Sequence, residues 1–171
     1  MTKSTLTKLG MVAVAAGCVA AANAQSNGPT GISVRVGAFF PTNNVASDLS
    51  STWFVFGVDY KISSLDAGSL GVGLHSYFGI SADYYSHGSD GDVPVALTYN
   101  VRQGPMVYSA GIGPDFRNSG DLTSTGVGLG EQIAATYDFS GGPTPFFLQA
   151  KYFFSSKPEL SGIGVYAGVR F

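Results

Sequence analysis

The sequence predicts an all-β protein, an eight-stranded antiparallel up-and-down transmembrane β-barrel after a cleaved signal peptide, and three observations predict it. Beyond the first segment, eight stretches alternate apolar residues with polar or small ones, the period of two that sends side chains to opposite faces of a strand. Glycine is frequent at 24 residues, aromatics make up 13% and charged residues only 12% of the 171-residue chain, which is the composition of a β protein with many turns and an apolar exterior. After the N-terminal segment, no apolar run approaches the ~20 residues that a membrane-spanning helix needs. Disorder is disfavoured, because low hydrophobicity and high net charge are both missing.

The N-terminal segment is set apart from the fold. Lys3 and Lys8 give it a basic start, Leu9 to Ala22 is apolar and rich in small residues, and Ala22-Asn23-Ala24 supplies an A-x-A cleavage site, so residues 1–24 read as a secretory signal peptide. Residues 25–171 are then one barrel domain. A second processing route is open at Ala15-Ala16-Gly17-Cys18, which loosely resembles a lipobox. Cleavage after Ala24 removes the single cysteine, leaving no disulfide or thiol chemistry in an exported protein. Losing two lysines and no acidic residue also takes the formal net charge from −2 to −4, which disfavours nucleic acid as a partner.

Taken in order, the first run, Gly31 to Phe40, sets Ile32, Val34, Val36, Ala38 and Phe40 against Ser33, Arg35, Gly37 and Phe39, and Pro41-Thr42-Asn43-Asn44 ends it. The second, Thr52 to Ile62, opposes Phe54, Phe56, Val58, Tyr60 and Ile62 to Val55, Gly57, Asp59 and Lys61. In the third, Leu70 to about Asp83, Ser76 interrupts the apolar phase, and His75, Tyr77, Gly79 and Ser81 lie on the other. Val93 to Arg102 has the cleanest alternation. Met106 to about Arg117 is weaker, with Pro114 marking a bulge or the point where the strand leaves the membrane.

The sixth run, Gly126 to Phe139, carries Glu131 on its apolar phase. Two explanations are open: a bulge near Gly128 and Gly130 that shifts the register, or a position at the membrane interface, where a carboxylate costs little. The seventh run, Pro145 to Phe154, and the eighth, Gly162 to Phe171, alternate again; the eighth places Ile163, Val165, Ala167, Val169 and Phe171 on one face. The links after runs one, three and five (Pro41 to Ser51, Tyr84 to Asp92, Asn118 to Thr125) and after run seven (Ser155 to Ser161) are longer and polar. After runs four and six they are short, whereas Ser63 to Ser69 after run two is longer. Short turns at one end and longer loops at the other is how outer-membrane barrels are built.

These residues carry a resemblance. The Gly162-to-Phe171 stretch resembles the strand read by the barrel-assembly machinery, with Phe171, Val169 and Ala167 as the implied assembly signal. Val34-Arg35-Val36-Gly37-Ala38-Phe39-Phe40-Pro41 followed by Gly57-Val58-Asp59-Tyr60 resembles the outer-membrane β-barrel domain family, small barrels of the OmpA and OmpX kind. The resemblance spans residues 25–171 and implies an integral outer-membrane protein, exported through the secretory pathway and monomeric, in contact with outer-membrane lipid and lipopolysaccharide. It rests on pattern, so it implies fold and location rather than an activity.

If the apolar phase faces outward, the inward set contains Arg35, Asp59, Lys61, His75, Arg102, Asp115, Asp138, Lys151 and Arg170. An eight-stranded barrel is only wide enough for side chains to fill it, so these residues are expected to form a polar network of ion pairs with no wide pore. No cofactor and no metal site are expected, since the histidines are far apart and no cysteine remains. The expected role is structural or surface-binding, carried by the loops, without enzymatic activity. Three alternatives stay open: a narrow channel along Arg35, Asp59, Lys61 and Arg102; a secreted lipocalin-like binder; and a lipid-modifying enzyme using His87 and Ser89, whose spacing loosely resembles lipid A deacylase barrels.

Overall fold

The computed structural model describes residues 31–71, 73–118, 125–139 and 145–171; the predicted signal peptide, with Cys18, lies outside the described residues. Gly31–Arg170 forms one unit, an up-and-down barrel in which each strand pairs with its sequence neighbours and the first closes on the last. The strands are β1 (Ile32–Pro41), β2 (Trp53–Gly71), β3 (Leu74–His87), β4 (Asp90–Gln103), β5 (Met106–Asn118), β6 (Gly126–Phe139), β7 (Phe146–Ser155) and β8 (Gly162–Arg170). A short helix, α1 (Asn44–Leu49), follows β1, and a 3₁₀ turn, Pro158–Leu160, follows β7. All pairings are antiparallel, and β1 meets β8 over Ser33↔Arg170 to Pro41↔Gly162. β1, β3, β5 and β7 end at one rim, the loop end, and β2, β4, β6 and β8 end at the other, the turn end.

Alternation decides which face looks where. The apolar phase points outward on all eight strands: Val36 is 45% exposed, Val58 40%, Ile80 43%, Leu97 52%, Ile112 50%, Ile133 53%, Leu148 50% and Val165 48%. The opposite phase is shut inside, with Arg35 at 3%, Asp83 at 1% and Lys151 at 2%. Burial is thus inverted relative to a water-soluble protein, whose charged side chains stay outside. A lipocalin-like binder would need the opposite arrangement.

Three boundaries depart from the pattern. Backbone pairing carries β2 through Ser63 to Ser69, read from the sequence as a link, to Gly71, so residues 70 and 71 close β2 rather than open β3. Register shifts between Lys61 and Asp66, Asp66 and Gly68, and Ser69 and Gly71 break the period of two there, which is how bulges hide a strand from pattern reading. Tyr84 to Asp92 is not a loop: β3 and β4 continue to a tight hairpin with Gly88 at φ 62°. Pro114 makes no bulge, since Pro94↔Asp115 and Leu97↔Ile112 share one register; its missing N–H removes rungs without shifting the strand.

Some apolar residues do turn inward, Val107 and Phe147 toward the turn end and a larger group at the loop end. Phe39, Trp53, Val55, Tyr85, Phe153 and Tyr166 pack with Ala46 of α1 and Leu160 of the 3₁₀ turn into a buried cluster. Phe39 stacks on Tyr85 at 4.2 Å between ring centroids and meets Phe153 edge-on at 6.1 Å, offset and T-shaped arrangements that aromatic quadrupoles favour. The Asn43 side chain caps α1 by accepting from the Val45 N–H at 2.9 Å, and the Trp53 indole donates to the Ser50 carbonyl at 3.1 Å. Glycines on the inward phase of β8 seat these rings. A Cβ on Gly162 would come 2.6 Å from Phe39 and one on Gly164 2.6 Å from Tyr166, while one on Gly168, toward the turn end, would overlap the Phe147 ring.

Inverted burial makes a contrast that unfolding can read. Phe39→Ala should lower stability by about 3–5 kcal/mol, because it opens a cavity in packed core. Val36→Ala, one face away, should change it by about 1 kcal/mol or less. Denaturant titration of the two variants, followed by tryptophan fluorescence, checks the order; equal losses would contradict the assignment of faces.

Candidate functional site

The interior polar network is the candidate site, and its centre is Asp83. On β3 the odd-numbered residues Ser81, Asp83 and Tyr85 face inward. The Asp83 carboxylate accepts from Arg35 of β1 at 2.7 Å (Nη2) and 3.2 Å (Nε) and from Lys151 of β7 at 2.8 Å. Arg35 and Lys151 therefore reach the same carboxylate from two walls. Arg35 also pairs with Asp59 of β2, and Lys151 donates to Ser81 at 2.8 Å and to Gln132 at 3.3 Å. Two cations and two carboxylates thus balance, as groups removed from water require.

Gly57 makes that crossing sterically available. It pairs with Arg35 on β1 and Asp83 on β3, so Arg35 must pass over β2 to reach Asp83. A Cβ at this position would overlap the Asp83 carboxylate and stand 2.8 Å from the Arg35 guanidinium. Arg35 lies 5.2 Å from the centre of the Tyr166 ring, and Lys151 lies 5.3 Å from that of Phe153. These cation–π contacts join the ionic layer to the aromatic cluster above it.

At the turn end, Asp138 of β6 is shared by Arg102 of β4 and Arg170 of β8, the latter at 2.9 Å. Arg170 also covers the Phe147 ring at 4.8 Å. Lys61 stands 4.9 Å from the Tyr77 ring centre. His75 is exposed at the start of β3 and so lies at the rim rather than in the interior. Between this rim and Lys151 is a polar cavity of about 40 Å³ lined by Asp59, Asn100, Gln132, Thr136 and Gln149 among others, room for a few water molecules.

Asp115 sits apart, at the loop end. It is fully buried and accepts from the Ser155 hydroxyl at 2.6 Å and the Ser156 hydroxyl at 3.4 Å. Nearby, the Tyr85 hydroxyl donates to the Leu160 carbonyl at 2.8 Å and lies 3.0 Å from an Asp92 oxygen, pinning the 3₁₀ turn over the barrel mouth.

The nine residues expected inside therefore divide. Arg35, Asp59 and Lys151 meet around Asp83, Arg102 and Arg170 meet on Asp138, and Asp115, Lys61 and His75 stand elsewhere. Asp83 is absent from that set because the alternation of the third run ends at about this residue, although its odd number places it on the inward phase. Asp92 falls in a stretch that the sequence reads as a loop, and the inward aromatics Phe39, Phe147 and Phe153 carry no signal that sets them apart from the outward ones. Ala167 and Val169 face outward on β8, opposite Val36 and Val34 of β1; Phe171 falls outside the unit Gly31–Arg170.

Two further residues change meaning. Glu131 pairs with Ile112 and Phe154 in ladders that run without a register shift, so there is no bulge at Gly128 or Gly130, and the carboxylate points outward. His87, Gly88 and Ser89 are exposed at the β3–β4 hairpin. His87 lies against Trp53 at 6.1 Å, and among the described residues no hydrogen bond joins it to Ser89 or to a carboxylate. A base-activated serine needs both.

No protein-family model matches the sequence, and no curated protein matches it. Among solved structures, the backbone structure of the Yersinia pestis outer membrane protein Ail in a phospholipid bilayer nanodisc is similar, with a TM-score of 0.47 and 13% sequence identity over 82% of this chain and 98% of that one.

Removing one partner from a buried ion cluster leaves the other charges stranded. Asp83→Asn should cost about 3–5 kcal/mol of stability. Because Lys151 shares that carboxylate, a double-mutant cycle of Asp83→Asn with Lys151→Met should give a coupling energy of about 1–3 kcal/mol, measured by denaturant unfolding. Additive losses would mean that the two groups do not meet.

Proposed function

We propose that this chain is an integral outer-membrane β-barrel protein with a sealed lumen, exported through the secretory pathway, non-enzymatic and monomeric. Its role is structural or surface-binding, carried by the loop-end segments. The observation that carries this reading is the inverted burial: large apolar side chains are exposed on all eight strands while Arg35, Asp83, Lys151 and Asp115 are enclosed. Left in water, such an exterior would be a strong aggregation liability. Against hydrocarbon it is the favourable arrangement, and closure of β1 on β8 leaves no unpaired strand edge, which a bilayer does not tolerate.

Dimensions support the same reading. The strands run from 9 to 19 residues, enough for the ~9–11 that cross a bilayer at a tilt. Exposed aromatics sit near strand ends, Tyr108, Tyr137, Phe139 and Phe146 toward the turn end and Phe40, Phe54, Phe116 and Phe154 toward the loop end, as interfacial belts require. Outer-membrane lipid and lipopolysaccharide are then the surrounding partners, and the barrel-assembly machinery is the partner in insertion. The Arg35–Asp83–Lys151 crossing and the aromatic cluster lie across the lumen in series, which supports a closed barrel over a channel. The exposed Val45 and Leu49 of α1 make that helix the first candidate for surface contact.

Cell fractionation tests the location: the protein should sediment with outer membranes and migrate faster unboiled than boiled on a denaturing gel. Recovery as a soluble periplasmic protein with no heat-dependent shift would contradict it. Planar bilayers test the seal, since purified protein should give no stable current. A steady conductance abolished by changing Asp59 or Arg102 would overturn the sealed barrel in favour of a channel.

A further inference from the structure

Glu131 is the only charged residue on the outward phase of the strands among residues whose side chains are described. Among the described residues it makes no hydrogen bond or ion pair, and it lies in the wall of an apolar groove of about 410 Å³ on the outer surface. Register explains the groove. Tyr99, Ala110 and Ile133 form one cross-strand row over β4, β5 and β6, so a small residue lies between two large ones. The next row is Leu97, Ile112, Glu131 and Phe154, which places the carboxylate at the groove's edge. On β7 its partner Phe154 is one residue from the loop-end terminus of the strand.

We propose that this groove holds a membrane lipid whose headgroup carries a protonated primary amine, with an acyl chain over Ala110 and the ammonium group on the Glu131 carboxylate. The inference rests on the integral-membrane reading. Charge and shape together select this occupant. An unpaired carboxylate on a lipid-facing wall is penalised, and an ammonium group relieves that penalty with a charge-assisted hydrogen bond. An anionic headgroup would be repelled. A second copy docked face to face would bring no cation, because its own outward phase offers only another Glu131, so two carboxylates would be set into an apolar contact. Phe154, one residue from the loop-end terminus of β7, flanks the groove with a ring suited to the boundary between hydrocarbon and headgroups.

Native mass spectrometry of the full protein, released from nanodiscs of equal parts phosphatidylethanolamine and phosphatidylglycerol, tests this directly. The wild type should retain phosphatidylethanolamine over phosphatidylglycerol by roughly fivefold, the size of a single modest ion pair. Glu131→Gln should abolish the preference, and Glu131→Lys should reverse it. Ala110→Phe, which fills the groove without changing charge, should lower retention of both lipids. An inserted, heat-modifiable wild type that shows no preference, or a preference unchanged in Glu131→Gln, overturns the lipid site while leaving the membrane reading intact. A dimer retained in place of lipid also overturns it. Failure to enter nanodiscs of any composition overturns both.

Discussion

The barrel depends on one carboxylate. Asp83 is reached by Arg35 from one wall and by Lys151 from another, and none of these three can be removed without leaving an unbalanced charge in the barrel interior. Other features follow from accommodating the crossing. Gly57 has no side chain because Arg35 passes over it, and Ser81, Gln132 and Asp59 take up the remaining donors and acceptors. The ionic layer is also what allows the exterior to be apolar, since an eight-stranded wall must place its polar phase somewhere and its lumen is too narrow for bulk water.

The interior is built in layers of different chemistry. At the turn end, Arg102 and Arg170 share Asp138 beside a small polar cavity; in the middle lies the Asp83 cluster; at the loop end, packed rings stand beside the buried carboxylates Asp92 and Asp115. The two upper layers touch through Arg35 with Tyr166 and Lys151 with Phe153. The glycine phase of β8, which reads in sequence merely as small residues, supplies the hollows into which Phe39, Tyr166 and Phe147 fit. On the proposed reading, a lumen filled by these layers leaves the outside of the barrel, rather than a path through it, as the place for function.

Much of this was legible before the structure. β1, β4, β5, β6, β7 and β8 fall within three residues of the alternating runs, because a wall with an exposed apolar face on one side and packed polar groups on the other enforces the period of two. Where that enforcement lapses, the pattern failed: the end of β2 is bulged and irregular, and the β3–β4 hairpin extends past the clean alternation. Charges were found by their phase, but which charge meets which depends on strands far apart in sequence, as with Lys151 and Asp83. The aromatic cluster was hidden for another reason. Phe39, Phe153 and Tyr166 occupy the inward phase, and only the three-dimensional convergence of β1, β2, β3, β7 and β8 shows them to be a core. Glu131 broke the sequence pattern, and continuous ladders on both sides show the break to be real.

Which face of the wall meets lipid is the central matter, and β7 offers the cleanest place to measure it. Nitroxide labels placed singly from residue 146 to 154 in the protein reconstituted into bilayers would report collision with dissolved oxygen, which concentrates in hydrocarbon. Integral insertion with inverted burial predicts a period of two, with high collision rates at Phe146, Leu148, Ala150, Tyr152 and Phe154 and low rates at Phe147, Gln149, Lys151 and Phe153. A reversed or aperiodic profile, or ready access of a water-soluble relaxant at the first set, would contradict it.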